Sequence, residues 1–476
     1  MTVKAALQGP IAGAPVIMLG QYNLGALGYV LEEFFLSGTA ASYQLAGTRG
    51  DDGRWEARTA ATAPFTTRVV VCRPDSATRF NGTVVVEWLN VSGGLDAPPD
   101  WYMFHRQMVR EGIAWVGVSA QIVGIEGGGP LGGAGIPLKR TNPQRYNSLA
   151  HPGDAFAYDI FTQAGRAVLE PAGAGILGPL TARRTIAAGA SQSAIFLVTY
   201  VNAVDPLAKV FDGFLVHGRG GTGAGIDGEF IPSSRRGGVN LSDDSPIFTG
   251  TERIRDDVRV PVLTIQSETD VLKLGGIGAR QPDAARFRLW EIAGAAHFDS
   301  YGLIASQLDD GTLPPGRFAE LNAPISELMG MPTDLPINSG PQFHYVSQAA
   351  IAALERWIRE GTPAPQAPRF ELSTGNPLRF AVDEHGNVKG GIRTPWMDAP
   401  TAILSGLGQS GGGFAFLFGT TRPFDAAKLA ALYPGGRREY LAKFEAAADA
   451  AVRAGFLLAA DAAEIKALAA AACPLR

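Results

Sequence analysis

A serine, an acid and a histidine, the residue types that can together transfer an acyl group, occur in that order along the chain. Ser191 lies in the stretch GASQS (189–193), one residue away from the Gly-x-Ser-x-Gly pattern of a nucleophilic serine in a tight strand-to-helix turn. A serine hydroxyl reacts as a nucleophile only when a base lies within hydrogen-bond reach and a third group orients that base. Because a second serine replaces the last glycine, the stretch alone fits a small-residue turn as well as a catalytic one.

Candidates for the base and for its orienting acid follow two later apolar runs. Asp270 comes shortly after PVLTIQS (261–267), and His297 follows RFRLWEIAG (286–294). Parallel strands end at the same edge of a sheet, where such side chains can meet. Taken singly, Asp270 fits a turn-forming acid and His297 a surface histidine. Taken together with Ser191, they predict a triad in the order serine, acid, histidine.

Glu268 is a second candidate for the acid. It lies two residues before Asp270, and in an extended stretch the two side chains would point the same way. The distance from the end of the predicted strand favours Asp270, and the choice between the two stays open to mutation of each residue to its amide.

The runs that must position these residues alternate between strand-like and helix-like patterns. Strands are predicted at 67–74, 82–91, 113–121, 184–190, 211–218, 261–267 and 286–294, and helices at 101–112, 155–170, 193–204 and 344–361. Several of the strands are apolar on consecutive residues, as in strands that are buried on both faces of a parallel sheet. The alternation predicts an α/β fold with a mostly parallel sheet and helices on both faces.

Three segments depart from this alternation. Residues 121–154 and 218–259 are long connections rich in glycine, and loops of this length inside a compact domain usually line or cover a pocket. Both are therefore predicted to be lid or pocket loops. Residues 362–476 follow the last predicted helix, and we interpret them as a C-terminal extension that packs on the core of a single domain, 1–476.

The composition excludes several classes of protein. Hydrophobic residues make up 46% and charged residues 18% of the 476 residues, as in a globular domain with a large core. The formal net charge of −4 lacks the basic excess of a nucleic-acid binder. No apolar run reaches the length of a membrane span, and the first residues lack the apolar core of a secretory signal. A cytoplasmic location, without membrane or nucleic-acid partners, is expected.

Metal and disulfide chemistry find little support in the sequence. The two cysteines, Cys72 and Cys473, cannot form a disulfide framework and are expected to be free thiols. The histidines and carboxylates show no ligand spacing typical of a metal site. No metal and no cofactor are therefore predicted.

Longer stretches of the chain resemble the α/β-hydrolase superfamily and, within it, a bacterial and fungal subgroup described as "alpha/beta hydrolase domain". They are GYVLEEFFLSGTA (28–40), FNGTVVVEWLNVSGGLDAPPDW (80–101), GASQSA (189–194), ETDV (268–271), RLWEIAGAAHFD (288–299) and GNVKGGIRTPW (386–396). Because they span nearly the whole chain, the resemblance implies that the C-terminal region belongs to the family and is not a fused second domain. It implies a mechanism more than a substrate.

Triad and resemblance together predict a serine esterase that cleaves a small-molecule carboxylic ester through an acyl-enzyme. The oxyanion would be held by the backbone N–H of Gln192 and by a second N–H, of Asn90 or Val91, from the loop after the strand at 82–91. Two alternatives stay open. One is an acyltransferase that uses the same triad, and the other is a catalytically inactive hydrolase-fold protein that binds a ligand.

Overall fold

One large sheet organises the molecule, for which a computed structural model describes residues 4–128, 135–230, 246–328, 330–375, 377–410 and 413–475. Its strands are β1 (Ala6–Gln8), β2 (Tyr29–Leu45), β3 (Ala57–Pro74), β4 (Thr83–Trp88), β5 (Ala114–Val118), β6 (Arg184–Ala190), β7 (Gly213–His217), β8 (Val262–Gln266) and β9 (Phe287–Glu291). Within the described ranges they are ordered β1-β2-β3-β5-β4-β6-β7-β8-β9. Two short antiparallel pairs lie outside this sheet, β10 (Glu327–Leu328) with β11 (Met331–Pro332) and β12 (Ala402–Ser405) with β13 (Thr420–Pro423).

Helices connect and cover the strands. They are α1 (Pro99–Arg110), α2 (Ile122–Glu126), α3 (Leu138–Thr141), α4 (Pro143–Tyr146), α5 (Ala157–Val168), α6 (Gln192–Thr199), α7 (Asp205–Ala208), α8 (Ser300–Leu303), α9 (Pro315–Leu321), α10 (Gln342–Glu360), α11 (Pro395–Asp398), α12 (Ala426–Leu432), α13 (Gly436–Ala454) and α14 (Ala462–Ala471). None of those in the described part of the chain has both the length and the apolarity to cross a membrane.

Strands β4 to β9 form the parallel part of the sheet. Within this set, adjacent strands pair in parallel register, from β5 through β4, β6, β7 and β8 to β9, and β5 pairs with β3 in antiparallel register. Every residue of β4, β5, β7, β8 and β9 is buried, as expected for strands covered on both faces. The predicted mostly parallel sheet is confirmed.

Alternate residues along each strand face two separate apolar layers. On one face, Val85 packs in a cluster with Phe104 of α1 and Leu354 of α10. On the other face, Val86 packs in a cluster with Phe161 of α5 and Phe196 of α6. The predicted placement of helices on both faces is confirmed, and the period of two residues along a strand is its cause.

The antiparallel hairpin of β2 and β3 extends beyond the strands that the sequence predicts. Its two strands pair from Tyr29 with Pro74 to Leu45 with Ala57, whereas the sequence predicts only 67–74. Residues 58–62 of β3 are exposed, so that half of the strand lacks the apolar run on which the prediction depends.

The C-terminal region contacts the same apolar layer as α1 and α10. Phe444 of α13 and Ile465 of α14 are both completely buried in that layer. Two ion pairs join α1 to the end of the chain, between Arg106 and Glu464 at 2.6 Å and between Arg110 and Asp461 at 2.5 Å. The two free cysteines lie in different surroundings, Cys72 buried and Cys473 half-buried.

Candidate active site

Ser191 occupies a strained turn between β6 and α6. Its backbone angles are φ 58° and ψ −118°, in a region that costs a non-glycine residue about 1–3 kcal/mol. Its N–H donates to the carbonyl oxygen of His217 at 2.8 Å, which ties the turn to the end of β7. Gly189 leaves room for the following helix, because a Cβ there would lie 3.1 Å from the backbone of Ser193. Ser193, which replaces the last glycine of the pattern, fits as a completely buried side chain.

His297 lies between Ser191 and Asp270. Its Nε2 is 2.8 Å from the Ser191 hydroxyl oxygen, and its Nδ1 is 2.5 Å from Oδ1 of Asp270. The acid is fully buried, whereas the serine and the histidine are half-buried. The structure thus brings the three predicted residues into hydrogen-bond contact, with the Ser191 hydroxyl at the more accessible end.

The turn that carries Asp270 is held by a reciprocal pair of hydrogen bonds. Oδ2 of Asp270 accepts from the backbone N–H of Ser267 at 2.6 Å and from its hydroxyl at 2.8 Å, while the Asp270 N–H donates to the Ser267 hydroxyl oxygen at 3.3 Å. This is a capping box. Ser267 is not among the site residues predicted from the sequence, although the Ser-x-x-Asp spacing of 267–270 is the signal of that motif. Bonds within its own turn therefore orient the carboxylate independently of its contact with the imidazole.

Glu268, the second candidate for the acid, faces away from the histidine. One carboxylate oxygen accepts from the Gly294 N–H at 2.7 Å, and the other accepts from the Gly406 N–H at 2.8 Å and the Ser405 hydroxyl at 3.0 Å. Burial raises the pKa of this carboxyl to about 7. Of the two predicted alternatives, the geometry favours Asp270.

Two further residues that the sequence analysis did not single out contact the histidine. A Cβ on Gly218 would lie 3.2 Å from Cε1 of His297, at a backbone φ of +64°. The hydroxyl oxygen of Thr269 accepts from the backbone N–H of His297 at 3.1 Å and donates to the carbonyl of Gly406 at 2.6 Å. Gly218 thus limits the space around the ring, and Thr269 fixes the backbone from which the ring projects.

The predicted oxyanion donors lie at the start of α6 and in the loop after β4. Gln192 is the first residue of α6, so its N–H has no acceptor inside the helix. The Asn90 N–H donates to the carbonyl of Ala97 at 2.9 Å and is therefore occupied. The Val91 N–H is 3.4 Å from the side-chain oxygen of Gln192, a long contact. Val91 is accordingly the better placed of the two predicted partners for Gln192.

Side chains join residues 90–98, called here the oxyanion loop after its predicted role, to the turn of Ser191, called here the nucleophile turn. The Asn90 side-chain amide donates to the carbonyl of Ala190 at 3.0 Å. The Gln192 amide donates to Oε1 of Gln121 at 2.6 Å, and the same oxygen accepts from the indole of Trp88 at 3.1 Å. These bonds set the distance between the two predicted oxyanion donors.

Buried charges anchor the far end of this loop. Oδ2 of Asp96 accepts from the Arg68 guanidinium at 2.6 Å and from the Ser119 hydroxyl at 2.5 Å. Just beyond it, the carboxylate of Glu87 accepts from the N–H groups of Asp100 and Trp101 at 2.9 and 3.0 Å, at the start of α1. These bonds satisfy two of the free N–H groups at this helix end, and burial raises the pKa of Glu87 above its usual range. The loop is therefore fixed at both ends by groups that are shielded from water.

A second histidine–carboxyl pair lies beneath the site. Nδ1 of His217 is 2.8 Å from Oδ1 of Asp100, and rings of Phe104 and Phe343 flank the imidazole. Burial lowers the pKa of His217 to about 3 and raises the pKa of Asp100 above its usual range. His217 is therefore neutral at ordinary pH and acts on Ser191 through its backbone oxygen.

The two predicted lid or pocket loops are described only in part, because residues 129–134 and 231–245 lie outside the described ranges. In the first loop, Gly135 packs so closely on the oxyanion loop that a Cβ on it would lie 2.3 Å from the carbonyl oxygen of Gly94. In the second, Gly218 contacts His297, as stated above. Their role as lids stays a prediction. No cluster of His, Cys, Asp and Glu that could hold a metal ion occurs in the part of the chain that is described.

Comparison with known proteins identifies a family. The model of a family described as "Alpha/beta hydrolase domain" matches residues 3–467, and no curated protein matches the chain. Among solved structures, one of two fungal esterases from Rhizomucor miehei is 13% identical, with 54% of this chain and 75% of that chain covered and a TM-score of 0.29. A cold-adapted esterase from an Arctic intertidal metagenomic library is 15% identical, with coverages of 55% and 84% and a TM-score of 0.28.

A third solved structure, a thermostable esterase from Pseudomonas putida ECU1011, is 13% identical, with coverages of 54% and 70% and a TM-score of 0.27. The family match, in contrast, extends over nearly the entire chain, including the C-terminal region. The chain therefore belongs to the alpha/beta hydrolase domain family.

Proposed function

We propose that the protein is a serine hydrolase that cleaves a carboxylic ester of a small molecule through an acyl-enzyme. The observation that carries this proposal is the position of His297, within hydrogen-bond distance of both the Ser191 hydroxyl and the Asp270 carboxylate. Membership of the alpha/beta hydrolase domain family supports it.

Acylation uses the three side chains in turn. Ser191 Oγ attacks the ester carbonyl carbon while Nε2 of His297 takes the hydroxyl proton, and Asp270 stabilises the imidazolium that forms. The negative oxygen of the tetrahedral intermediate accepts hydrogen bonds from the N–H groups of Gln192 and Val91. Collapse of the intermediate breaks the bond to the alcohol oxygen, which receives the proton from His297 and leaves.

Deacylation repeats these steps with water. His297 takes a proton from a water molecule, whose oxygen attacks the acyl carbon, and the second intermediate releases the carboxylic acid as Ser191 regains its proton. The buried capping box around Asp270 supports this role, because it holds the carboxylate in one orientation through both steps.

The test is labelling by a fluorophosphonate probe together with turnover of short p-nitrophenyl esters. We expect the wild-type protein to be labelled and to hydrolyse the esters. Ser191→Ala should abolish labelling and lower kcat by about 10⁵- to 10⁶-fold. Ser193→Ala, which changes the neighbouring buried serine of the same turn, is the matched control and should retain labelling.

Two outcomes would contradict the proposal. Labelling that survives in Ser191→Ala would place the nucleophile elsewhere. A folded wild-type protein that is neither labelled nor active on any ester of a panel varied in acyl and alcohol groups would instead indicate a ligand-binding protein with a hydrolase fold.

A further inference from the structure

One carboxylate connects the C-terminal region to the two turns that carry Asp270 and His297. Glu268 is completely buried and lies in the turn of Asp270, called here the acid turn (267–274). Its first oxygen binds the N–H of Gly294, where the base loop (294–299) begins. Its second oxygen binds Ser405 and Gly406, at the end of β12. Three distant segments of the chain thus meet at a single side chain.

The backbone of Gly406 packs directly on both turns. A Cβ on this residue would lie 2.5 Å from the carbonyl oxygen of Ala295 and 2.7 Å from the backbone nitrogen of Thr269. Its carbonyl accepts from the Thr269 hydroxyl, whose oxygen in turn accepts from the N–H of His297. Any residue with a Cβ at position 406 would clash with this backbone, so only glycine lets the C-terminal segment pack this closely against the acid turn and the base loop.

A second contact fixes the other side of the base loop. The N–H of Phe298, the residue after the histidine, donates to the carbonyl of Leu417 at 3.1 Å. Asn338 donates to the carbonyls of both Gly294 and Ser405, at 2.8 and 3.0 Å. Residues 294 to 298 are therefore held from both ends by bonds to segments far along the chain.

A carboxylate is the group that this junction requires. Two N–H groups and one hydroxyl converge on Glu268, and each needs an acceptor. An amide of the same size has one acceptor oxygen and would turn its NH₂ toward a donor, which leaves a buried N–H without a partner at a cost of about 1–3 kcal/mol. Burial disfavours ionisation of this carboxyl group, since it raises the pKa of Glu268 to about 7. The hydrogen bonds offset part of that cost.

We propose that Glu268 is a positioning residue that keeps Asp270 and His297 aligned by fastening the acid turn and the base loop to residues 405 and 406. This inference rests on the proposed function, because alignment matters only if the two side chains act together. It gives the C-terminal region a part in the reaction, and not only in the packing of the core. Displacement of a catalytic group by as little as 1 Å can cost about 100-fold in rate.

Glu291 offers a matched control. It is also completely buried and also binds the C-terminal region, through the N–H of Phe370 at 2.7 Å. It also accepts from Arg280 at 2.8 Å, and within the described ranges its side chain forms no hydrogen bond to the acid turn or to the base loop. Loss of its charge should affect folding without moving the triad.

The experiment compares Glu268→Gln and Glu291→Gln in the full-length chain by kinetics and by hydrogen–deuterium exchange. For Glu268→Gln we expect kcat to fall about 10- to 100-fold with KM little changed. Peptides that contain residues 294–298 and 405–406 should exchange faster together. For Glu291→Gln we expect kcat within about twofold of the wild-type value and faster exchange only around Phe370.

Each other result decides against the proposal. Faster exchange in Glu268→Gln with unchanged kcat would make the residue purely structural, and unchanged exchange with a large loss of kcat would make it a direct participant in the reaction. An equal loss of kcat in both variants would attribute the effect to general destabilisation. If the wild-type protein is neither labelled nor active, the proposed function fails, and the exchange pattern alone then decides whether Glu268 couples the three segments.

Discussion

The nucleophile turn and the two turns that carry the acid and the base are positioned by different parts of the chain. Ser191 lies between its own strand and helix, with Gly189 and Ser193 in contact across the turn, and its N–H donates to His217 on the adjacent strand β7. Asp270 and His297, in contrast, lie in turns that depend on Glu268 and its partner Ser405, 137 positions further along the chain. The Ser191 turn is thus bonded to strands of the sheet core, whereas the turns of Asp270 and His297 are also bonded to the C-terminal region.

This difference separates two ways in which a site can fail. A change in the nucleophile half acts on a short, strained turn and on a loop anchored by buried charges. A change in the acid–base half can act from a distance, through hydrogen bonds that cross the boundary between the core and residues 362–476. The following predictions test that division, beginning with the largest expected effect.

Replacement of the acid should show which carboxylate orients the base. Asp270→Asn should lower kcat about 10⁴-fold, because the amide favours the wrong imidazole tautomer. Glu268→Gln should cost far less, since its carboxylate does not touch the histidine. Initial rates on a p-nitrophenyl ester measure both. A larger loss in Glu268→Gln than in Asp270→Asn would reverse the assignment of the acid.

Removal of the buried anchor of the oxyanion loop should mainly reduce stability. Asp96→Ala leaves the fully buried guanidinium of Arg68 without its closest partner, and loss of one member of a buried pair costs about 3–5 kcal/mol. Urea denaturation gives the free energy of unfolding. Asp256→Ala breaks an exposed pair with Arg54 and should change that free energy by at most about 1 kcal/mol. Equal effects of the two would remove Asp96 as an anchor.

Glu268 in the acid–base half and His217 beside the nucleophile turn should change the free energy of unfolding with pH in opposite directions. The pKa of Glu268 is raised from 4.5 to about 7, so between these values the folded protein holds a proton that the unfolded chain has lost. The free energy of unfolding therefore falls as pH rises through this window, by about 3 kcal/mol. The pKa of His217 is lowered from 6.5 to about 3, so between these values the unfolded chain holds a proton that the folded protein lacks. The contribution of His217 to the free energy of unfolding therefore rises with pH over that interval.

Urea titrations of the wild type, Glu268→Gln and His217→Asn at several pH values separate these contributions. The difference in free energy of unfolding between wild type and Glu268→Gln should fall as pH rises from about 4.5 to 7, and the corresponding difference for His217→Asn should rise from about pH 3 to 6.5. Parallel curves for the three proteins would show that neither group titrates as its burial implies.

A single methyl group near the histidine should give the smallest effect. Gly218→Ala places a Cβ 3.2 Å from the imidazole, and we expect kcat to fall about tenfold as the ring shifts. Gly173→Ala introduces the same kind of backbone strain, at φ +79°, with no atom within 4 Å of the new Cβ. It should leave kcat unchanged. A similar loss in both variants would assign the effect to backbone strain and not to the ring.

The parts of the fold that could be predicted from the sequence are those with local signals. The bounds predicted for strand β6 are those of the structure, because five consecutive apolar or small residues, 186–190, form most of it. The helix predicted after it continues through Val204 as α6 and a further helical turn. The exposed half of β3 could not be predicted, since pairing with β2 and not an apolar pattern makes it a strand.

The candidate site shows the same limit. Ser191, Asp270 and His297 are each marked by the end of an apolar run, and the structure brings them together. The bonds from Glu268 to Ser405 and Gly406 have no counterpart in spacing or composition, because contacts between distant segments leave no period in the sequence. The catalytic roles of Ser191, Asp270 and His297 stay predictions, which the variants test.

The close packing of Gly406 on the acid turn affects when, during synthesis, the parts of the site can come together. Synthesis proceeds from the N-terminus, and early segments begin to fold before later ones exist. The segments of the nucleophile turn, β6, α6 and β7, emerge early, but Glu268 can bind its partners only after residues 405 and 406 have emerged. A growing chain therefore contains Ser191 and its turn before the residues that bind Glu268 exist, and under the proposed mechanism the histidine can be aligned only after those residues have been added.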